Sequence, residues 1–283
     1  MALNLGGGSL TSNYSALYLG NAQSMLSQSL LRLSSGQRIN KPSDDPGGLA
    51  VSMKLKNAIT VTEATKRNVD NALSYTDTQD SALESVADIL DRMSTIKTSY
   101  GSGTATTSDL SSYASEFKEL QKQLDVFKSE TFNSLSLFSS SAVSKQVMIS
   151  SRGESGPTIS ISTLDISGAL SVSSTINLAN ATGSVTISGI SIGNLTTAIT
   201  QVASLRATSG ATSSRLQFSS DFLDTSKTNL EAANSRIMDV DIADEVTNYA
   251  KYNVQVYAAS AALAQSNLNM GIVLDLLNFG SSR

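Results

Sequence analysis

The 283-residue chain has no cysteine, no histidine, no tryptophan and only three prolines. Without cysteine it can build neither a disulfide framework nor a thiol nucleophile nor a zinc-thiolate site. Without histidine the usual imidazole acid/base is missing, and only carboxylates, Lys, Tyr and Ser are left for any chemistry. These absences point away from an enzyme, and no cofactor is expected. A net charge of −4, from 24 acidic and 20 basic residues, offers no electrostatic footprint for nucleic acid. The opening residues Met1 to Gly8 show neither the basic stretch nor the apolar stretch of a Sec signal, so export by that route is not expected.

Charge is also missing locally, at both ends. No charged side chain occurs from Met1 to Leu31, nor between Tyr252 and Leu274. Yet both stretches have helical spacing. Near the C-terminus a seam runs through Ile242, Val246, Tyr249, Asn253, Val256, Ser260, Leu263, Asn267, Met270, Leu274 and Leu277, and near the N-terminus Leu19, Ala22, Leu26 and Leu33 repeat it. A solvated amphipathic helix would carry Lys and Glu on its outer face, so these outer faces are expected to meet protein rather than water. Asn253, Gln255, Ser260, Gln265, Ser266, Asn267 and Asn269 would each need satisfying in lipid, which argues against membrane insertion. Asn253, Ser260 and Asn267 stand where a self-sufficient coiled coil would have Leu, so each stripe alone is weak. The two ends are therefore expected to be partners, loose in the free chain and ordered on association.

Between the ends, Gly36, Pro42 and Pro46 mark a joint. Asp44 and Asp45 beside Pro46 suit helix capping better than a catalytic or metal-binding pair. Leu49 to about Thr98 reads as one long helix of about 75 Å, and Leu110, Tyr113, Phe117, Leu120, Leu124 and Phe127 as a second, antiparallel to it. Residues from about 132 to 195 change character. Val147 and Ile149, then Ile159 and Ile161, predict a β-hairpin around Arg152–Pro157, and alternation at Leu170–Leu178 and Val185–Ile192 predicts further strands with a bulge at Gly189. Helix resumes near Asn194, with Leu216, Leu223, Leu230 and Ile237 spaced by sevens. The expected class is mainly α: long antiparallel helices in coiled-coil bundles, with a small insert containing a β-hairpin.

Two stretches, Leu33–Asn40 followed by Asp44–Asp45 and Ser235–Glu245, resemble the signature stretches of bacterial flagellin. The likeness extends over Asn68–Ala72 and Leu263–Asn267 and spares only the β insert, while Gly6-Gly7-Gly8 departs from the family's usual text. The resemblance implies a structural protein that self-assembles into the bacterial flagellar filament used for motility. Residues 1–43 and 238–283 would be the two halves of an inner coiled-coil domain, and 44–237 a helical shell with the insert at about 132–194. Leu19, Leu26, Leu33, Ile242, Val246, Tyr249, Val256, Leu263, Met270, Leu274 and Leu277 would then serve inner-helix packing and assembly. The short insert implies that the large outermost domains of many flagellins are absent. The metallopeptidase motif found in some flagellin inserts needs His and is excluded. Implied partners are the chain itself, a flagellar export chaperone, and cap and hook-associated proteins, with export through the flagellar type III apparatus and no cleaved signal peptide. The resemblance also implies a contact with an animal Toll-like receptor at Arg92, Ile96 and Glu116, with Thr95 where an acid is usual. A hook-filament junction protein and a secreted adhesin or translocator are the alternative readings.

Overall fold

The computed structural model describes residues 6–141, 143–150, 156–173, 176–179 and 186–281. They form two compact units: Met1–Asn57 with Leu230–Arg283, called here the terminal unit, and Ala58–Asn229, the central unit. The described residues are mainly helical. Long helices α1 (Gly6–Ser35), α2 (Pro46–Tyr100), α3 (Thr107–Lys128), α5 (Ile192–Met238) and α6 (Ile242–Ser281) are accompanied by a short α4 (Ile166–Leu170) and three two-stranded antiparallel ladders.

In the central unit the buried positions of α2 alternate by threes and fours: Thr62, Thr65, Val69, Ala72, Thr76, Gln79, Leu83, Val86, Leu90, Met93. That spacing keeps one stripe of a helix on one side over many turns. α5 answers with Leu195, Ala198, Val202, Ser209, Leu216 and Leu223. Cross-helix pairs fix the antiparallel register: Lys66 with Asp224 (3.0 Å), Asp70 with Ser220 (2.9 Å), Asp77 with Ser213 (3.2 Å) and Asp80 with Arg206. Arg206 grips Asp80 as a fork, Nε to Oδ1 at 3.0 Å and Nη2 to Oδ2 at 3.2 Å. Two polar members of the stripe are satisfied in place. Gln79 donates Nε2 to the Leu137 carbonyl at 2.8 Å, and Ser209 donates to the Thr76 carbonyl at 3.3 Å. Phe117 and Leu124 bring α3 into the same core. A reciprocal capping box between Thr106 and Asp109 starts α3, and the Thr106 hydroxyl and N–H hold the Asp109 carboxyl below its ordinary pKa.

The expected hairpin is present as β3 (Ser144–Met148) paired antiparallel with β4 (Thr158–Ser162), Gln146 opposite Ser160, with Ile159 and Ile161 turned into the core. A second, tighter hairpin precedes it. β1 (Thr131–Phe132) and β2 (Leu135–Ser136) are joined by Asn133 and Ser134, both at positive φ (48° and 64°), the conformation a two-residue turn needs to follow the strand twist. The strand expectations beyond β4 need correction. Leu170 closes α4 and only β5 (Ser171–Ser173) and β6 (Ile176–Asn177) pair there, with an irregular register. Ile187–Gly189 form a 3₁₀ turn that buries Ile187 and Ile190, three apart, instead of an alternating strand with a bulge. Val185 lies outside the described residues. Ser191 and Asn194 cap one another's backbone N–H groups, and α5 therefore starts at Ile192 and runs through Gly210 without a break.

Candidate assembly surfaces

In the terminal unit the joint after α1 meets the break between α5 and α6. Gly36, at φ 70°, ends α1 in the left-handed conformation that only glycine adopts cheaply. Its carbonyl accepts the Val240 N–H at 3.0 Å, Arg38 N–H donates to the Met238 carbonyl at 2.6 Å, and Arg38 Nη2 reaches the Ile237 carbonyl at 2.9 Å. The two stretches that carry the family resemblance are thus hydrogen-bonded to each other. Asp44 accepts the N–H groups of Asn40 (3.2 Å) and Lys41 (3.0 Å) and the amide of Gln28, while Asp45 accepts Gly48 N–H at 2.9 Å and caps α2. The bond from Lys41 N–H is the main cause of a lowered Asp44 pKa. A Cβ on Gly48 would stand 2.4 Å from the Asp45 carboxylate, so the close cap requires glycine. Both carboxylates are occupied by backbone, and among the described residues no group of three or more potential metal ligands occurs.

α1 and α6 lie antiparallel: Ser12 bonds Asn267 (3.2 Å), and seventeen residues later in α1 Ser29 donates to the Glu245 carbonyl (3.3 Å). The half-buried or buried line on α1 is Ser12, Ser15, Leu19, Ala22, Leu26, Ser29, Leu33. On α6 it is Glu245, Asn248, Tyr249, Tyr252, Asn253, Val256, Ala259, Leu263, Ser266, Met270. Leu19, Leu26, Leu33, Tyr249, Val256, Leu263 and Met270 are all half-buried on these lines. The other column of the expected seam is inward only in part. Val246 and Ser260 are exposed, Ile242 and Val246 at 53% and 49%, while Asn253 is half-buried and Asn267, though exposed, accepts the Ser12 hydroxyl. One residue earlier, Glu245, whose carboxylate sits 4.0 Å from Arg32, is buried, and Tyr252 and Ala259 are half-buried. The signal available was smallness: Ala259 and Ala22 let two helices approach. The side chains of Leu274 and Leu277 lie outside the described residues.

These helices turn large apolar side chains outward among exposed Asn, Gln and Ser. Tyr14, Leu17 and Tyr18 are 59–66% exposed on α1, and Val254, Tyr257 and Leu268 are 63–71% exposed on α6. No described helix is long and apolar enough to cross a membrane.

In the central unit, Arg92 pairs with Glu116 across α2 and α3, Nε to Oε1 at 2.8 Å and Nη2 to Oε1 at 2.6 Å, both side chains substantially exposed. Ile96 is 2% exposed and belongs to the core. Thr95 is exposed and bonds back to the Asp91 carbonyl.

Residues 10–142 match the family model of the bacterial flagellin N-terminal helical region, and residues 192–277 that of the C-terminal helical region. The chain belongs to the flagellin family. The flagellin of Bacillus subtilis is 30% identical, over 92% of this chain and 95% of its own length. A flagellar filament core protein of Treponema maltophilum is 28% identical over 95% and 98%, and the flagellin of Halalkalibacterium halodurans 29% over 87% and 89%. Among solved structures, a putative flagellar hook-associated protein of Vibrio parahaemolyticus superimposes with a TM-score of 0.59 at 13% identity, covering 69% of this chain and all of that one; this likeness is one of fold. The stretch between the two flagellin models, 143–191, holds β3 to β6.

Proposed function

We propose that this flagellin-family chain is the repeating subunit of an extracellular flagellar filament, a structural protein without catalytic activity. The observation that carries the reading is the outer face of α1 and α6, where side chains such as Tyr18 (66% exposed) and Tyr257 (71% exposed) stand on helices almost free of charge. Exposed large apolar side chains grouped on one helix face, as Tyr14, Leu17 and Tyr18 are on α1, mark a protein interaction site, and the family match supplies the partner, other copies of the chain. In this reading residues 1–43 and 238–283 pair as a coiled coil packed among its neighbours inside the polymer, while 44–237 form the surrounding shell with the insert at about 132–194. The same outer faces would need covering before assembly, which suits a flagellar export chaperone during passage through the type III apparatus. Cap and hook-associated proteins would meet the polymer's ends.

The test is seeded polymerisation: purified chain warmed with short filament seeds and imaged by electron microscopy should lengthen the seeds. Chains that remain monomeric and unattached under conditions that elongate other flagellins would refute the reading.

A further inference from the structure

The central unit carries a groove that the described residues leave open. Its floor is Ala72 and Tyr75 of α2 with Ile161 of β4, and its walls are Phe132 and Leu135 of the tight hairpin and Val143 and Val147 along β3; its volume is about 340 Å³. The floor is rigidly made: Tyr75 donates its hydroxyl to the Ser136 carbonyl at 2.9 Å and meets Phe132 edge-on at 6.1 Å between ring centroids. At the rim stands Lys145, exposed.

The same unit carries a matching projection. Phe218 and Phe222, one helical turn apart on α5, are 72% and 64% exposed, the most exposed large apolar side chains described in this unit. Ser220 between them bonds Asp70 of α2. Each Phe is two residues from Ser220, about 200° around the helix, so the pair points away from α2. Because Asp70 lies between Asn68 and Tyr75, groove and projection sit at the same height on different sides of the unit. On the flank of the pair, about 60–100° around the helix from the two rings, stands Asp221, exposed and accepting the Gln217 amide at 3.0 Å.

We propose that Phe218 and Phe222 of one copy enter the groove between α2 and β3 of a second copy, with Asp221 of the first opposite Lys145 of the second. Three observations favour another copy as the occupant. The knob is an aromatic pair suited to an aromatic and aliphatic floor, the rim charges are of opposite sign, and the two surfaces are different patches of one chain. A contact between different patches does not close within a pair of copies; repeated, it propagates into a ring or an open helical array. The proposal rests on the subunit reading above and specifies one lateral contact within it.

The absence of cysteine makes a direct test possible. Lys145→Cys and Asp221→Cys chains, mixed in equal amounts, assembled on seeds and oxidised, should give a disulfide-linked dimer that neither variant gives alone. Separately, the doubly substituted Phe218→Ser, Phe222→Ser chain should keep its monomer circular dichroism, because both rings are exposed, and leave at least about tenfold more unpolymerised protein at equilibrium, as loss of a central aromatic anchor does. Filaments without the mixed cross-link, together with unchanged residual monomer in the Phe variant, would overturn the contact and leave the subunit reading standing. Failure of the unaltered chain to elongate seeds would count against both.

Discussion

The two units use the same heptad spacing to opposite effect. In the central unit the inward line of α2 holds Leu83, Val86, Leu90 and Met93, each at 0% exposure, within one continuous apolar core. In the terminal unit Ala22 and Ile39 are the only apolar side chains that reach full burial among the described residues. The inward line of α1 includes Ser12, Ser15, Ala22 and Ser29, and the large side chains Tyr14, Leu17, Tyr18 and Met25 face out. Periodicity narrows which face of a helix is inward, and residue size decides whether that face can stabilise a single chain. Among the described residues the central unit packs most of its large apolar side chains into one core, with Phe218 and Phe222 standing out from it, whereas the terminal unit leaves large apolar side chains exposed along both helices.

The largest effect expected from this contrast is all or nothing. Deleting Leu263–Arg283 removes much of the α6 seam, and polymerisation should be lost while the central unit stays folded, as circular dichroism and a cooperative melt would report. Filaments from the truncated chain would break the contrast. Leu90→Ala should cost about 2–5 kcal/mol in urea unfolding of the monomer, the usual range for emptying a packed core site. Leu26→Ala, on a half-buried seam position, should cost roughly 1 kcal/mol or less in the same measurement yet weaken assembly more than Leu90→Ala does relative to its stability cost.

Most of this was legible in the sequence. Gly and Pro bracketed α2 well because Asp45 and Pro46 carry the capping chemistry themselves. The hairpin of β3 and β4 showed as alternating Ile and Ser. The seam of α6 was half readable: Tyr249, Val256, Leu263 and Met270 announce themselves by size, but Glu245 is buried and Tyr252 and Ala259 half-buried, one residue from the Val246 column that hydrophobicity favours. A buried Glu against Arg32 and a small Ala are chosen by the partner helix, which local pattern does not reveal. The tight turn at Asn133 and Ser134 was missed because it lacks the glycine that usually marks positive φ. Ile187 and Ile190 can read as either a strand or a helical turn, and a capping pair further along, Ser191 with Asn194, decided for the turn.

Smaller effects sharpen the picture. The folded-state pKa of Asp44 is lowered by the N–H of Lys41. Its contribution is therefore present above the ordinary carboxylate pKa of about 3.9 and is lost as pH falls through the lower folded value. Asp44→Asn should shrink the difference in melting temperature between pH 6 and pH 3, measured on the same monomer. The smallest expected effect concerns host recognition. With Ile96 buried, the receptor contact implied by the resemblance is confined to exposed groups near it, and Arg92→Ala should reduce the signal of monomer in a receptor reporter assay while Thr95→Glu raises it. An inactive unaltered monomer that Thr95→Glu does not change would remove that contact.

Hydrogen exchange read residue by residue, on monomer and on filament, tests the central contrast most directly. In the monomer, amides of α2 from Val69 to Met93 should be protected to the level of global unfolding, and those of α1 and α6 should exchange orders of magnitude faster. On assembly α1 and α6 should gain protection and the central core should change little. Equal protection of α1, α6 and the central core in the monomer would contradict the account.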